Sequence, residues 1–553
     1  MTAGRDRRAL WFGLAAVLAV ALLGRALLLT SGAVSFHSDE AVVALMARHI
    51  LQGERPVFFY GQAYMGSLDP WLVAGGFALF GESVQTIRLV QSVLYLGVVA
   101  ATYGAAFVLS GRVRVAVIAG LTLAVPNVLV ALYTTATLGG YNETLLLGAL
   151  IILVGFPIRR GGTDLWRWAL IGVFAGLGWW TNALIAVYVL PVALLLLVRL
   201  WRGRSEGARL LTGPVIAIGA FALGSAPWWS FALQNDLAPL RFLVGAPNAG
   251  FASAESTQSF GIRLVGLLAF GLPAVLGLRF PWSPEWFFPI LGGIVLVINL
   301  LALVNLIRRP TALKPGARGL VLGMTALLGA VFLLSRFSND PTGRYFLPLT
   351  LPLGVMLGVY LTPQPPLRGE RENEPPHRVL SLSYGEGRGV RFIALVLILG
   401  LHATSVVAAV RGPVGLTTQF NVAEHIPADF DADILAFLES KGISAGYASY
   451  WAAFRLAFLS GEAVTFSAAL PPRDDLDWTP FYDRYPPYRA AADAAPPVFL
   501  TANTPVLDAE LVHLFSEADV TYSTETIGPY TVFYAFDDPG AVPRPPFSFQ
   551  IAH

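Results

Sequence analysis

Residues 35–71, SFHSDEAVVALMARHILQGERPVFFYGQAYMGSLDPW, lie between two strongly apolar segments and contain Asp39, Glu40 and Asp69. Acids are scarce in this chain, because only 13% of its 553 residues are charged while 55% are hydrophobic. Asp39 is placed to cap a helix over about 40–52, since its carboxylate can accept the free amide hydrogens of the first turn. The stretch is therefore expected to hold carboxylates at a membrane surface.

The composition restricts the class of protein. A mean hydropathy of +0.62 and repeated apolar runs of about twenty residues are typical of a polytopic α-helical membrane protein and exclude a soluble one. The chain has no cysteine, which excludes disulfides, thiolate metal sites and a cysteine nucleophile. A formal net charge of +2 gives no electrostatic reason to expect nucleic acid as a partner.

Apolar runs predict a mainly α-helical bundle of about eleven spans. They are 9–30, 84–109, 113–132, 143–158, 166–181, 183–198, 210–230, 286–307, 319–335, 345–361 and 391–410. The basic start of the chain, with Arg5, Arg7 and Arg8, predicts a retained first helix and a cytoplasmic N-terminus. If successive spans cross the membrane in alternating directions from a cytoplasmic N-terminus, five Arg-rich loops also lie in the cytoplasm, as the positive-inside rule requires. The expected location is the plasma membrane.

Three further segments need separate interpretation. The apolar segment 262–280 does not fit the alternating direction of the spans and is expected to be interfacial or re-entrant. The alternative is that 262–280 spans the membrane and that one of the segments 166–181 and 183–198 does not. Residues 362–390 are rich in Pro, Gly and charge, which predicts a disordered cytoplasmic loop. Residues 412–553 alternate short pieces that are helix-like, near 431–442 and 507–519, and strand-like, near 444–450, 496–503 and 531–536. They are expected to form a small extracytoplasmic α/β domain after a membrane module over 1–411.

Further polar residues are predicted on the same outer side as the loop 31–83. Glu143 opens a span, where a carboxylate in hydrocarbon would cost about 2.5–3.5 kcal/mol, so a polar cavity is expected beside it. The pair Arg344 and Tyr345 lies at the outer mouth of another span. An Arg there can hold a phosphate with two hydrogen bonds while the ring covers an apolar chain; the alternative is ordinary interfacial anchoring.

His37 lies two residues before Asp39, a spacing that a metal pair can have. Carboxylates with Mg²⁺ or Mn²⁺ would suit a phosphate-bearing ligand, so Asp39, Glu40 and His37 are the candidate ligands if a divalent cation is used. The alternative is that His37 only forms hydrogen bonds. No other cofactor is indicated by the sequence.

Several motifs resemble bacterial members of the GT-C superfamily of integral-membrane glycosyltransferases, in particular the protein O-mannosyltransferase and lipid A aminoarabinose transferase group. They are FHSDEAVVALMARHILQG (36–53), FYGQAYMGSLDPWL (59–72), GGYNETLLLGAL (139–150), GLGWWTNAL (176–184) and GRYFLPL (343–349). The resemblance covers most of the chain, except for the loop at 362–389.

The resemblance implies inverting transfer of a sugar from a polyprenyl-phosphate carrier to an acceptor on the outer face, where the acceptor is a lipid, a glycan or a protein. It implies that Asp39 and Glu40 are catalytic, with Asp39 as the base that deprotonates the acceptor hydroxyl. The implied substrate-binding residues are Tyr60, Gln62, Asp69, Tyr141, Glu143, Arg344 and Tyr345.

Two other functions remain open at this point. A carrier or flippase for lipid-linked sugars would bind with the same acids and perform no chemistry. Secondary transporters usually contain structural repeats, and none is visible in the sequence. The third function is a catalytically inactive binding or scaffold protein.

Overall fold

The structure is a computed structural model that describes residues 2–158, 164–202, 211–243, 259–309, 311–335, 340–363, 387–419 and 425–547. Most of the loop predicted at about 362–390 lies outside the described residues. Its last residues belong to a helix that begins at Gly387.

The part before residue 412 is almost entirely helical. Its elements are α1 (Thr2–Thr30), α2 (Ser38–Gln52), β1 (Phe58–Phe59), β2 (Gln62–Gly66), α3 (Leu68–Phe80), α4 (Val84–Ser110), α5 (Val113–Ala124), α6 (Val128–Tyr133), α7 (Tyr141–Gly155), α8 (Leu165–Thr181), α9 (Ala186–Arg202), α10 (Thr212–Gly224), α11 (Ala226–Gln234), α12 (Ala238–Leu243), α13 (Phe260–Val265), α14 (Leu272–Val275), α15 (Pro289–Arg308), α16 (Ala317–Leu334), α17 (Thr350–Leu361) and α18 (Gly387–Arg411). Short 3₁₀ turns precede α9 and α17.

The multi-span helical fold class is confirmed, because each of the eleven predicted segments contains helix. Among the described residues, seven helices are long and apolar enough to cross a membrane, or eight if α10 and α11, bent by 64° at their junction, form one span. The predicted segment 113–132 is interrupted, since α5 ends at Ala124 and Asn127 caps α6 by accepting a hydrogen bond from the Val130 amide. The predicted segments 143–158 and 166–181 are helices of 15 and 17 residues.

The segment predicted to be interfacial or re-entrant is short in the structure. It consists of α13, a π-helical turn over 266–271 and α14. At about 1.5 Å per residue, this length is less than the roughly 30 Å hydrocarbon core of a bilayer. Its relation to the membrane stays a prediction.

The C-terminal part is a mixed α/β sheet region, as predicted. Its elements are α19 (Asp431–Ser440), β3 (Ala445–Ser449), α20 (Tyr450–Leu459), β4 (Thr465–Leu470), α21 (Pro486–Ala494), β5 (Phe499–Ala502), α22 (Pro505–Glu517), β6 (Ser523–Ile527) and β7 (Tyr530–Tyr534). The strand order is β4-β3-β5-β7-β6. Strand β3 pairs in parallel with β4 and β5, while β7 pairs antiparallel with both β5 and β6.

The sheet region shares one hydrophobic core with the loop between α1 and α4. Buried side chains of α2 and α3 pack in the same cluster as those of α20, β4 and β5. Polar contacts also join α2 to the turn between α20 and β4, because Glu462 accepts a hydrogen bond from Arg48 at 3.2 Å and contacts His49 at 2.9 Å. The C-terminal sheet is therefore packed directly on the helix that carries Asp39.

The start of α2 differs from the sequence prediction. The helix begins at Ser38, two residues earlier than expected, and its N-cap residue is His37 in extended conformation. Asp39 therefore lies inside the first turn and does not cap the helix, which corrects that prediction. Its carboxylate is available for contacts with other elements.

Candidate active site

A cavity of about 430 Å³ is lined by Asp39, Gln62, Tyr141, Arg344 and Tyr345, five of the polar residues that the sequence indicated. Its polar and charged lining consists of Asp39, Gln62, Tyr64, Tyr133, Tyr141, Asn182, Ser335, Arg344, Tyr345, Thr418 and Arg484. The aliphatic lining comes mainly from α9 and α16 and the turn before α9, and includes Leu184, Val187, Leu190, Leu327 and Val331. The cavity therefore offers a charged region together with an apolar wall.

Asp39 is held by residues from the C-terminal part of the chain. The Tyr450 hydroxyl donates a hydrogen bond of 2.6 Å to Oδ1 of Asp39, and the Thr418 hydroxyl lies 3.4 Å from Oδ2. Nη2 of Arg484 lies 3.8 Å from Oδ1. The Asp39 side chain remains 27% exposed, so its carboxylate is accessible from the cavity.

Electrostatics keep Asp39 ionised. Burial acts to raise the pKa of Asp39, but His37, Arg484 and Arg344 and the hydrogen bond from Tyr450 together hold the pKa below its usual value. Asp39 is therefore a hydrogen-bond acceptor at neutral pH.

Arg344 reaches the cavity from the turn that precedes α17. Its Nη2 lies 2.6 Å from Oδ2 of Asp340, and its guanidinium lies 5.2 Å from the centre of the Tyr345 ring. Asp340 also accepts a hydrogen bond from the Thr342 amide at 2.8 Å. This arrangement fixes the guanidinium at the cavity wall while leaving 35% of the side chain exposed.

Glu40 does not line the cavity, although it is adjacent to Asp39 in the sequence. Its side chain is fully buried and forms a two-pronged ion pair with Arg88, in which Nη2 lies 2.7 Å from Oε2. The Thr137 amide donates a further hydrogen bond of 3.0 Å to Oε1. Glu40 therefore connects α2 to α4 and to the segment before α7.

Asp69 and Glu143 are buried next to each other and do not line the cavity. Asp69 accepts hydrogen bonds from Gln91 at 2.9 Å and from the Thr137 hydroxyl at 2.6 Å. Glu143 is buried beside Asp69, and the two carboxyl groups interact with each other. Because Thr137 contacts both Glu40 and Asp69, these acids form a buried polar layer that supports the cavity.

Tyr60 also lies away from the cavity lining. Its hydroxyl donates a hydrogen bond of 2.6 Å to Glu54 and contacts His49 at 2.9 Å, while its ring stacks on Tyr485. Tyr60 therefore joins the loop after α2 to the C-terminal part of the chain. By contrast, Gln62 does line the cavity, and its buried Oε1 has no partner among the described residues.

The predicted cation ligands do not fit a divalent metal. Nε2 of His37 contacts the Thr418 hydroxyl at 3.0 Å, and Glu40 is fully engaged by Arg88. Asp39 is the only carboxylate among the described lining residues, and two guanidinium groups face the same cavity. Within the described ranges no three His, Asp or Glu side chains form a metal-binding group.

Three residues of the site were not predicted from the sequence: Tyr450, Arg484 and Thr418. All three lie beyond the last membrane helix. Tyr450 lies in the run GYASYWAAFRLAF (446–458), and nothing in that run indicated contact with Asp39. Arg484 lies among several other charged and aromatic residues, so its sequence context carried no signal.

Comparison with known proteins supports the fold. No protein-family model and no curated protein matches the sequence. The structure is similar to that of ArnT from Cupriavidus metallidurans bound to undecaprenyl phosphate, with a TM-score of 0.57, 15% identity, and coverage of 97% of this chain and 99% of that chain. The apo structure of the same ArnT gives a TM-score of 0.57 at 13% identity, covering 93% of this chain and 95% of that one.

A second kind of enzyme has a similar structure. The archaeal oligosaccharyltransferase AglB from Archaeoglobus fulgidus, in complex with an inhibitory peptide and a dolichol-phosphate, gives a TM-score of 0.52 at 12% identity, covering 95% of this chain and 74% of that one. The chain therefore has the fold of GT-C membrane glycosyltransferases, as the sequence resemblance predicted. Within that class the match to ArnT extends over nearly the full length of both chains, so the fold is ArnT-like.

Proposed function

We propose that this protein is an inverting glycosyltransferase that moves a sugar from a polyprenyl-phosphate donor to an acceptor hydroxyl. The observation that carries the proposal is that Asp39 and Arg344 line one cavity, part of whose wall is aliphatic. A carboxylate, a cation and an apolar wall are the groups that an acceptor hydroxyl, a phosphate and an isoprenoid chain require. The similarity to ArnT bound to undecaprenyl phosphate supports the same donor class.

The proposed reaction is a single displacement at the anomeric carbon. The acceptor oxygen forms a bond to this carbon while the bond from the carbon to the phosphate oxygen breaks, and the electron pair of that bond stays on the phosphate. Asp39 takes the proton of the acceptor hydroxyl as general base. Arg344 stabilises the charge that develops on the phosphate.

Other lining residues are assigned to substrate binding. The buried Oε1 of Gln62 has no partner in the described part of the chain, and at the cavity it can accept a hydrogen bond from a sugar hydroxyl. Tyr141 and Tyr345 add polar and aromatic lining, and aliphatic residues of α9 and α16 would contact the polyprenyl chain. Asp69, Glu143 and Tyr60, which the sequence assigned to substrate binding, are instead proposed to position the residues that line the cavity.

A panel of radiolabelled donors tests the proposal. Purified protein is incubated with different polyprenyl-phosphate sugars and a membrane extract that supplies acceptors. We expect one donor to lose its sugar to the extract, whereas nucleotide sugars without a polyprenyl group should remain intact. If every polyprenyl-phosphate sugar stays intact while a nucleotide sugar is consumed, the proposed donor class is wrong.

Arg344 can be tested separately as the phosphate-binding residue. Arg344→Ala is expected to raise the donor KM more than Arg344→Lys does, because Lys keeps the charge but cannot form two parallel hydrogen bonds. The expected increase for Ala is about 10-fold or more, as for loss of a hydrogen bond to a charged group. An unchanged donor KM in both variants would remove Arg344 from the phosphate site.

The pH dependence follows from the environment of Asp39. Because the pKa of Asp39 is lowered, its basic form persists above that value and is lost only as the pH falls through it. We therefore expect kcat/KM to show no acid limb from this group between about pH 5 and pH 8. A fall in kcat/KM with an apparent pKa near 6 would indicate a different base, provided that the fold is intact at that pH.

The topology is also proposed on the basis of charge. The Arg-rich loops place the N-terminus in the cytoplasm and the C-terminal sheet region outside it. Ser523 lies on the exposed strand β6, so Ser523→Cys should react with a membrane-impermeant thiol reagent in intact cells. The cysteine-free wild type is the control, and labelling of Ser523→Cys only after lysis would reverse the topology.

A further inference from the structure

The carboxyl ends of strands β3 and β4 in the C-terminal sheet lie on the side of the sheet that faces the cavity. The chain leaves β3 through α20 to β4 on one side of β3, and then crosses to β5 on the other side. In open α/β sheets, ligands bind outside the carboxyl ends of the strands at such a change of direction. Tyr450 directly follows β3, and Arg484 lies in the segment that follows β4. The carboxyl ends of these strands, where other α/β proteins bind their ligands, therefore face Asp39.

Arg484 is fixed in place by its surroundings. Its guanidinium lies 4.6 Å from the centre of the Tyr450 ring, and its Nε donates a hydrogen bond of 3.3 Å to the Phe481 carbonyl. Its backbone packs against Gly61, where an added Cβ would lie 3.2 Å from the Arg484 Cα. The side chain is only 11% exposed. A guanidinium held in this way loses little further freedom when it binds an anion.

The terminal nitrogens of Arg484 remain available. Nη2 lies 3.8 Å from Asp39, which is beyond hydrogen-bond distance, and within the described part of the chain neither terminal nitrogen forms a hydrogen bond. Arg344 in the same cavity is already paired with Asp340 at 2.6 Å. Arg484 is therefore the less neutralised of the two cations.

We propose that Arg484 is a second phosphate-binding residue, with which the C-terminal sheet region completes the active site. This inference rests on the proposed function. The donor phosphate is a diester with one negative charge, and it becomes a monoester with a second charge when the bond to the sugar breaks. In the same step Asp39 becomes neutral by accepting the acceptor's proton. The charge that faces Arg484 thus moves from Asp39 to the departing phosphate.

Direct binding of undecaprenyl phosphate to the purified full chain tests the inference. Arg484→Gln is expected to weaken this binding about 10-fold, as for loss of a hydrogen bond to a charged group. Lys441→Gln, which removes an exposed cation from the same region, should leave binding unchanged. Arg484→Lys keeps the charge, and should retain part of the affinity and serve as the folded variant if Arg484→Gln is unstable.

A second comparison separates phosphate binding from a structural role. Asp39→Asn should tighten binding of undecaprenyl phosphate, because it removes the competing carboxylate, and the gain should be smaller when Arg484→Gln is also present. An equal gain in both backgrounds would overturn the inference. Wild-type affinity in folded Arg484→Gln would also overturn the inference. So would wild-type affinity in both Arg484→Lys and the double variant that combines Arg484→Lys with Asp39→Asn.

The inference and the proposed function can fail separately. If wild type binds and Arg344→Ala weakens binding while Arg484→Gln does not, only the role of Arg484 is wrong. If the wild type does not bind undecaprenyl phosphate at all, both are wrong.

Discussion

Replacing Asp39 with Asn is expected to lower kcat by at least about 10²-fold, the lower range for loss of a general base. The amide keeps the size of the side chain and can still accept the hydrogen bond from Tyr450, but it cannot take up the proton of the acceptor. Donor binding should largely persist, so the loss should fall on kcat and not on the donor KM. Steady-state kinetics with the donor found in the panel measure both quantities.

A matched control is available in the same part of the structure. Asp429 is an exposed acid on the C-terminal side, and Asp429→Asn should leave kcat unchanged. Wild-type turnover in Asp39→Asn would show that another group is the base. If Glu143→Gln were inactive in that case, the first turn of α7 would carry the chemistry.

Glu40→Gln is expected to act mainly on stability. Its partner Arg88 is about nine-tenths buried, and removal of one member of a buried ion pair leaves an uncompensated charge, which costs about 3–5 kcal/mol. We expect a clear fall in the unfolding temperature and in the yield of folded protein. Thermal unfolding of the purified variant measures this effect.

The complementary variant identifies the cause of that loss. Combining Glu40→Gln with Arg88→Met removes the unpaired charge, so the double variant should regain part of the lost stability. Full stability of Glu40→Gln together with lost turnover would give Glu40 the catalytic role that the sequence resemblance implied.

The helical geometry explains why Asp39 and Glu40 differ. Adjacent residues on a helix point about 100° apart, so when Asp39 faces the cavity its neighbour faces α4. Once α2 is recognised as a helix, only one of the two acids can be expected at a given surface. The sequence motif DE alone does not contain this distinction.

Site residues that only long-range contacts bring to the cavity could not be predicted from the sequence. Asp39 and Arg344 were indicated because each interrupts or borders an apolar run, and the structure brings both to one cavity. Tyr450 and Arg484 could not be indicated, because their position depends on how the C-terminal sheet packs on α2. That packing involves small and aromatic side chains of α20, whose apolar pattern is equally compatible with an internal core.

Local patterns were sufficient for most of the secondary structure. The predicted helices near 431–442 and 507–519 and the strands near 444–450, 496–503 and 531–536 are present. Strand β6 was not predicted, since its sequence STETI is exposed at the sheet edge and lacks an apolar alternation.

The central claim is that this cavity breaks the bond between a sugar and a polyprenyl phosphate. A donor labelled with ³H in the sugar and ³²P in the phosphate measures this directly, in proteoliposomes that contain the purified protein and the acceptor. Wild type should separate the labels, leaving ³²P on polyprenyl phosphate and ³H on the acceptor, and Asp39→Asn should not. Movement of intact donor across the bilayer, with both labels still joined in every sample, would contradict the claim and identify a carrier.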